Sequence, residues 1–125
     1  MRLNHDCIRD ILLYIEDHTP TASSTVCLQD LFDSLSSKYD NTTIMYHITK
    51  MAEADFVPFP QGNVIYPLMY KGHEHLDSIR DKGIFEKVKE CGLTSMSVDL
   101  VKELSKEIAL SIAKNQLQRI GIHID

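Results

Sequence analysis

The stretch Asn41-Thr42-Thr43-Ile44-Met45-Tyr46-His47-Ile48-Thr49-Lys50-Met51-Ala52-Glu53-Ala54-Asp55-Phe56-Val57-Pro58-Phe59-Pro60-Gln61-Gly62-Asn63-Val64-Ile65-Tyr66-Pro67-Leu68 decides the fold. In its first half, Ile44, Ile48, Met51 and Ala52 fall on one helical face, while Thr43, Tyr46, Thr49, Lys50 and Glu53 face outward. This spacing predicts a helix over 42–54. The pattern then turns extended: Phe56 to Phe59 and Val64 to Leu68 flank Pro60-Gln61-Gly62-Asn63. Pro60 suits the second position of a type I turn, and Gly62 suits the left-handed position that closes a bulged hairpin. A β-hairpin is therefore expected. Pro58 and Pro67 cannot donate ladder bonds, which places it at an edge with its tip exposed.

Upstream, Ile8, Ile11, Leu12 and Ile15 recur at i, i+3, i+4 and i+7, predicting a helix over 4–17. Asn4 can cap it and His18-Thr19-Pro20 ends it. Thr21 to Val26 reads as a short strand or a loop. Leu28, Leu31, Phe32 and Leu35 predict a second helix over 28–36, closed by the turn cluster Ser36 to Asn41. Downstream, Leu76, Ile79, Ile84, Phe85 and Val88 mark a connecting helix within 71–90, ended at Cys91-Gly92. A last helix is expected over 97–118, with Asp99 in its first turn.

Three helices leading directly into a hairpin is the plan of a winged helix. Tyr46-His47-Ile48-Thr49-Lys50-Met51-Ala52-Glu53-Ala54-Asp55-Phe56-Val57 resembles the recognition helix and first wing strand of bacterial winged-helix regulators, with Asp55 where glycine is usual. Met1-Arg2-Leu3-Asn4-His5-Asp6-Cys7-Ile8-Arg9-Asp10-Ile11-Leu12-Leu13 resembles the opening of a family of short bacterial and prophage proteins of unknown function. Gly72-His73-Glu74-His75-Leu76-Asp77-Ser78-Ile79-Arg80-Asp81 is similar to the G-H-x-F-L-D-x-I-R-D block of the same family, with His75 in place of the aromatic residue. The expected fold is α+β and mainly helical: a winged helix-turn-helix core over 1–70 with an edge hairpin, followed by C-terminal helices, in one domain of 125 residues.

Composition supports a globular chain: 43% of residues are hydrophobic and 25% charged, and area scaling buries roughly two-thirds of the unfolded surface without disulfides. Cys7, Cys27 and Cys91 are odd in number and widely spaced, as in a reducing interior, so a cytoplasmic location is expected. The longest apolar run near the start, Ile11 to Ile15, is too short for a signal peptide or a membrane span, and no membrane association is expected.

The winged-helix reading implies a regulator that presents its third helix to DNA. Thr43, Tyr46, Thr49 and Lys50 would reach bases or phosphates, and Arg2 and Arg9 would add positioning contacts. Charge argues the other way. Residues 1–70 carry four Lys/Arg against nine Asp/Glu, and the turn Pro60 to Asn63 has no cation for a phosphate. The competing reading is an acidic winged helix that docks on another protein.

No enzyme is expected, because no P-loop, G-x-G-x-x-G or G-x-S-x-G occurs. His73 and His75 stand two residues apart on a helix, on different faces, so no metal site or cofactor is expected. His47 is expected as a satisfied, partly buried histidine.

At about 100° per residue, Leu100, Val101, Leu104, Ile108 and Ile112 form one stripe on the last helix. Ala109, Leu110, Ala113, Leu117 and Ile120 form another. One core needs one stripe. The second predicts a homodimer, with Ala109 and Ala113 permitting close approach.

Overall fold

The structure, a computed structural model, describes residues 1–92 and 97–119. The chain divides into two compact units, Met1–Asp77 and Ser78–Asp125.

In the first unit, α1 spans His5–His18. Asn4 caps it by accepting the Cys7 N–H on its side chain at 3.2 Å. Cys7, Ile8, Ile11, Leu12 and Ile15 are buried on its inner face, as the spacing predicted. β1 is only Val26–Cys27, and Thr21 to Ser24 forms a turn closed by the Ser24 N–H to the Thr21 carbonyl. α2 spans Leu28–Leu35 and α3 spans Asn41–Glu53. Ile44, Ile48, Met51 and Ala52 are buried on α3, again as expected, and α1 packs on both α2 and α3.

α3 ends in a Schellman motif. The Phe56 N–H reaches the Met51 carbonyl at 2.9 Å and the Asp55 N–H reaches the Ala52 carbonyl at 3.1 Å. This geometry puts Asp55 in the left-handed region, at φ 63°. Glycine is the usual residue there because it has no Cβ to clash.

The predicted hairpin does not form. β2 is Val64–Ile65, and it pairs antiparallel with β1, Val26 opposite Ile65 and Cys27 opposite Val64, rather than with Phe56 to Phe59. Only the tight turn remains, where Gln61 and Val64 exchange both backbone bonds at 3.1 Å and Gly62 takes φ 61°. Pro58 and Pro60 remove alternate donors from the stretch that would have been the first strand, so it cannot sustain a ladder. β1 offers donors instead.

Asn63 provides a second reason. Cys27, the N-cap of α2, makes no side-chain cap bond. Asn63 fills that place from across the sequence. Its carbonyl accepts the Leu28 N–H at 2.9 Å, its Oδ1 accepts the Gln29 N–H at 3.2 Å, and its Nδ2 lies 3.0 Å from Cys27 Sγ. The turn expected to project is bonded to the start of a helix, where free N–H groups need acceptors.

α4 spans Tyr70–Ile79. It begins against the end of α3: the Met69 N–H bonds to the Phe56 carbonyl at 2.8 Å, and a Cβ on Gly72 would overlap that same carbonyl oxygen. His75 stacks on Phe56 with ring centroids 4.9 Å apart. The unit boundary falls inside α4.

In the second unit, α5 spans Lys82–Glu90 and α6 spans Val98–Arg119. The expected connecting helix over 71–90 is therefore two helices. Asp81 breaks it by capping α5, accepting the Ile84 N–H at 3.0 Å. Phe85 and Val88 are buried on α5, Val101 and Ser105 are buried on α6, and these two helices pack together. Ser97 caps α6 through the Leu100 N–H at 3.2 Å.

Candidate interaction face on the third helix

The outward face of α3 borders a shallow groove of about 620 Å³, lined by Phe32 of α2 and by Asn41, Thr42, Met45, Tyr46, Thr49 and Lys50 of α3. Phe32, Met45, Tyr46, Thr49 and Lys50 are each half-buried. Of the expected set, Tyr46, Thr49 and Lys50 are brought together here. Thr43 stands apart from the lining, with its N–H on the Asp40 carboxylate at 2.7 Å. Arg2 is exposed ahead of α1 and Arg9 is half-buried on α1, and neither lines the groove.

Each grouped side chain already has an intramolecular partner. The Tyr46 hydroxyl donates to the Met1 carbonyl at 3.1 Å. The Thr49 hydroxyl donates back to the Met45 carbonyl at 3.0 Å. Lys50 Nζ lies 3.1 Å from Glu53 Oε2 and 5.6 Å from the Tyr46 ring centroid. An exposed pair of this kind contributes little to stability, but it sets a carboxylate beside the one cation in this lining. Three acidic residues neighbour lining residues in sequence or by contact. Asp33 follows Phe32, Asp40 caps α3 just before Asn41, and Glu53 holds Lys50. Hydrogen bonds from Thr43 hold the Asp40 carboxyl below the usual carboxylate range.

Sequence reasoning missed Phe32, Asn41, Thr42 and Met45. The spacing puts Phe32 on one helical face with Leu28, Leu31 and Leu35, and of these only Leu31 is fully buried. Met45, an apolar residue outside the Ile44/Ile48/Met51 stripe, was the available signal.

His47 is fully buried, and its Nδ1 pairs with the Thr43 carbonyl while its Nε2 accepts the Asn4 N–H, both at 2.8 Å. Two fixed bonds leave it no lone pair for a substrate. Burial, with Asp10 and Asp6 nearby, pushes the Cys7 thiol up to about 12, so it is held as the unreactive thiol. Tyr39 donates to Asp10 at 2.9 Å, and Lys38 lies 3.4 Å from the same carboxylate, joining α1 to the turn before α3. His73 is exposed, whereas His75 is buried. No group of three His, Cys, Asp or Glu gathers among the described residues in a way that could hold a metal. No helix among them is long and apolar enough to cross a membrane.

On α6, Leu110 and Ala113 are exposed, and Ala109 and Leu117 are half-buried. Ile120 lies outside the described residues.

Residues 2–99 match the model of a family described as Hypothetical protein (DUF2513). The chain is also 30% identical over 124 residues to an uncharacterized protein of Haemophilus influenzae, an alignment covering 94% of this chain and 99% of the relative. No solved structure matches at a significant level.

Proposed function

For a chain that belongs to the DUF2513 family, we propose a non-enzymatic regulatory module of winged-helix type that docks on a protein through α3 rather than on DNA. The order α1, β1, α2, α3, β2, with β1 paired to β2, supports the winged-helix reading. The observation that carries the choice of partner is the 3.1 Å pair between Lys50 and Glu53. Phosphate neutralisation dominates DNA affinity, and here the one cation of the groove lining already lies beside a carboxylate. The turn that would serve as the wing caps α2 through Asn63 and carries no Lys or Arg. A second copy of the chain completes the proposal, meeting the first through the Ala109, Leu110, Ala113 and Leu117 stripe of α6.

DNA remains the second reading, because Thr42, Tyr46 and Thr49 are hydroxyl side chains on the helix that enters the major groove in this architecture. Gel shifts with random-sequence duplex at about 50 and 200 mM salt separate the two. The expected result is no complex at either salt concentration. A complex that weakens with salt and with Lys50→Ala overturns the protein-docking reading in favour of DNA.

A further inference from the structure

We infer that the groove between α2 and α3 receives a cationic amphipathic segment of a partner protein, an apolar side chain entering between Phe32 and Met45 and its basic residues meeting Asp33, Asp40 and Glu53. The inference rests on the protein-docking reading and adds the chemistry of the partner.

The groove supplies both halves of that recognition. Phe32 presents an aromatic ring from α2, while Met45 and Tyr46 face it from α3. Half-buried Phe and Met side chains lose further water when an apolar group covers them, and a thioether adapts to differently shaped anchors. Exposed carboxylates neighbour the lining residues. Asp33 directly follows Phe32, Asp40 precedes Asn41 and Thr42, and Glu53 lies one helical turn beyond Lys50. Three carboxylates against one lysine leave the rim negative. A neutral apolar segment would gain nothing from those carboxylates, and an acidic one would be repelled. A helix with apolar anchors at i and i+3 or i+4 and Lys or Arg beside them satisfies strip and rim together.

The test uses three synthetic helical peptides and the full chain. The first carries Leu anchors with Lys and Arg, the second has the basic residues replaced by Glu, and the third keeps the charge but has Leu replaced by Ser. Binding is followed by NMR at the Met45 and Thr49 methyls and the Phe32 ring. Only the first peptide is expected to move these signals. The double charge reversal Asp33→Lys with Glu53→Lys, which alters exposed positions, should weaken it about tenfold. Equal binding of the Ser peptide, equal binding of the acidic peptide, or shifts confined to signals elsewhere in the chain would each overturn the inference. An acidic peptide seated in the groove would overturn this inference alone. Salt-sensitive duplex binding lost with Lys50→Ala would remove the protein-docking reading beneath it.

Discussion

His47 on α3 accepts the backbone N–H of Asn4 at 2.8 Å, and Asn4 is the N-cap of α1. A side chain from one helix thus holds the N-cap of another, while its second nitrogen bonds to the Thr43 carbonyl one turn back. The Asn4 N–H donor fixes Nε2 as the acceptor and Nδ1 as the protonated nitrogen. His47→Ala removes a fully buried ring and leaves the Asn4 donor without that acceptor. A loss of about 2–4 kcal/mol is expected, measured from urea unfolding midpoints. A loss below about 0.5 kcal/mol would show that the bond is not maintained in solution.

Asp55 and Gly72 should respond in opposite directions, although both belong to one junction. Asp55 takes a left-handed conformation that costs a residue bearing a Cβ. Its 3.9 Å contact with Lys71 is exposed and weak. Asp55→Gly should stabilise the chain by about 0.5–1 kcal/mol, after the entropy of a freer unfolded glycine is subtracted. Calorimetry would show this as a raised Tm.

Alanine normally improves a helix. Gly72→Ala should nonetheless destabilise by about 1–3 kcal/mol, because the new methyl would strike the Phe56 carbonyl, which also accepts the Met69 N–H. Backbone on both sides leaves little room to yield. A neutral effect in thermal melts would mean that α4 does not approach the end of α3 this closely.

Much of this architecture was readable locally. The stripe Ile8, Ile11, Leu12 and Ile15 and the stripe Ile44, Ile48 and Met51 are spaced by helical geometry alone, and all seven residues are buried. Caps such as Asn4 act within three residues. The hairpin failed because its fate depends on distant partners: β2 pairs with a strand 37 to 39 residues away, Cys27 with Val64 and Val26 with Ile65, and Asn63 caps a helix begun 35 residues earlier, at Leu28. The groove was half legible. Periodicity put Tyr46, Thr49 and Lys50 outside, but a single helical face does not reveal that Phe32 of α2 stands opposite them. Nor does it show that Lys50 and Glu53, both outward, are paired to each other.

Asp40 gives a pH signature. Hydrogen bonds from Thr43 favour its ionised form, so its folded pKa lies below the unfolded value of about 3.9. A depressed carboxyl pKa gives stability that is fully present above the unfolded value and lost as pH falls through the folded one. Asp40→Asn keeps a capping side chain without the charge. The stability gap between the two proteins should be constant above about pH 5 and shrink steadily below about pH 4. Urea midpoints across pH 3 to 7 would check this, and a gap that widens on acidification would contradict the assigned cap.

The exposed stripe on α6 is tested by mass. α5 has nine residues and α6 has 22, so at 1.5 Å per residue they are about 13 Å and about 33 Å long. α5 can run along less than half of α6. The buried positions Val101 and Ser105 lie in the first half, while Leu110, 57% exposed, and Ala113 lie beyond. Two copies meeting through this stripe would cover Leu110 and Leu117 of each chain. Light scattering should therefore give twice the 14.3 kDa chain mass. Leu110→Glu with Leu117→Glu should return it to a single chain, since four buried carboxylates cannot be accommodated without partners. Circular dichroism on the same sample separates dissociation from unfolding, because a dissociated but folded chain retains the helix signal of the first unit. A native protein that already scatters as a single chain at high micromolar concentration would leave the α6 stripe without the proposed role.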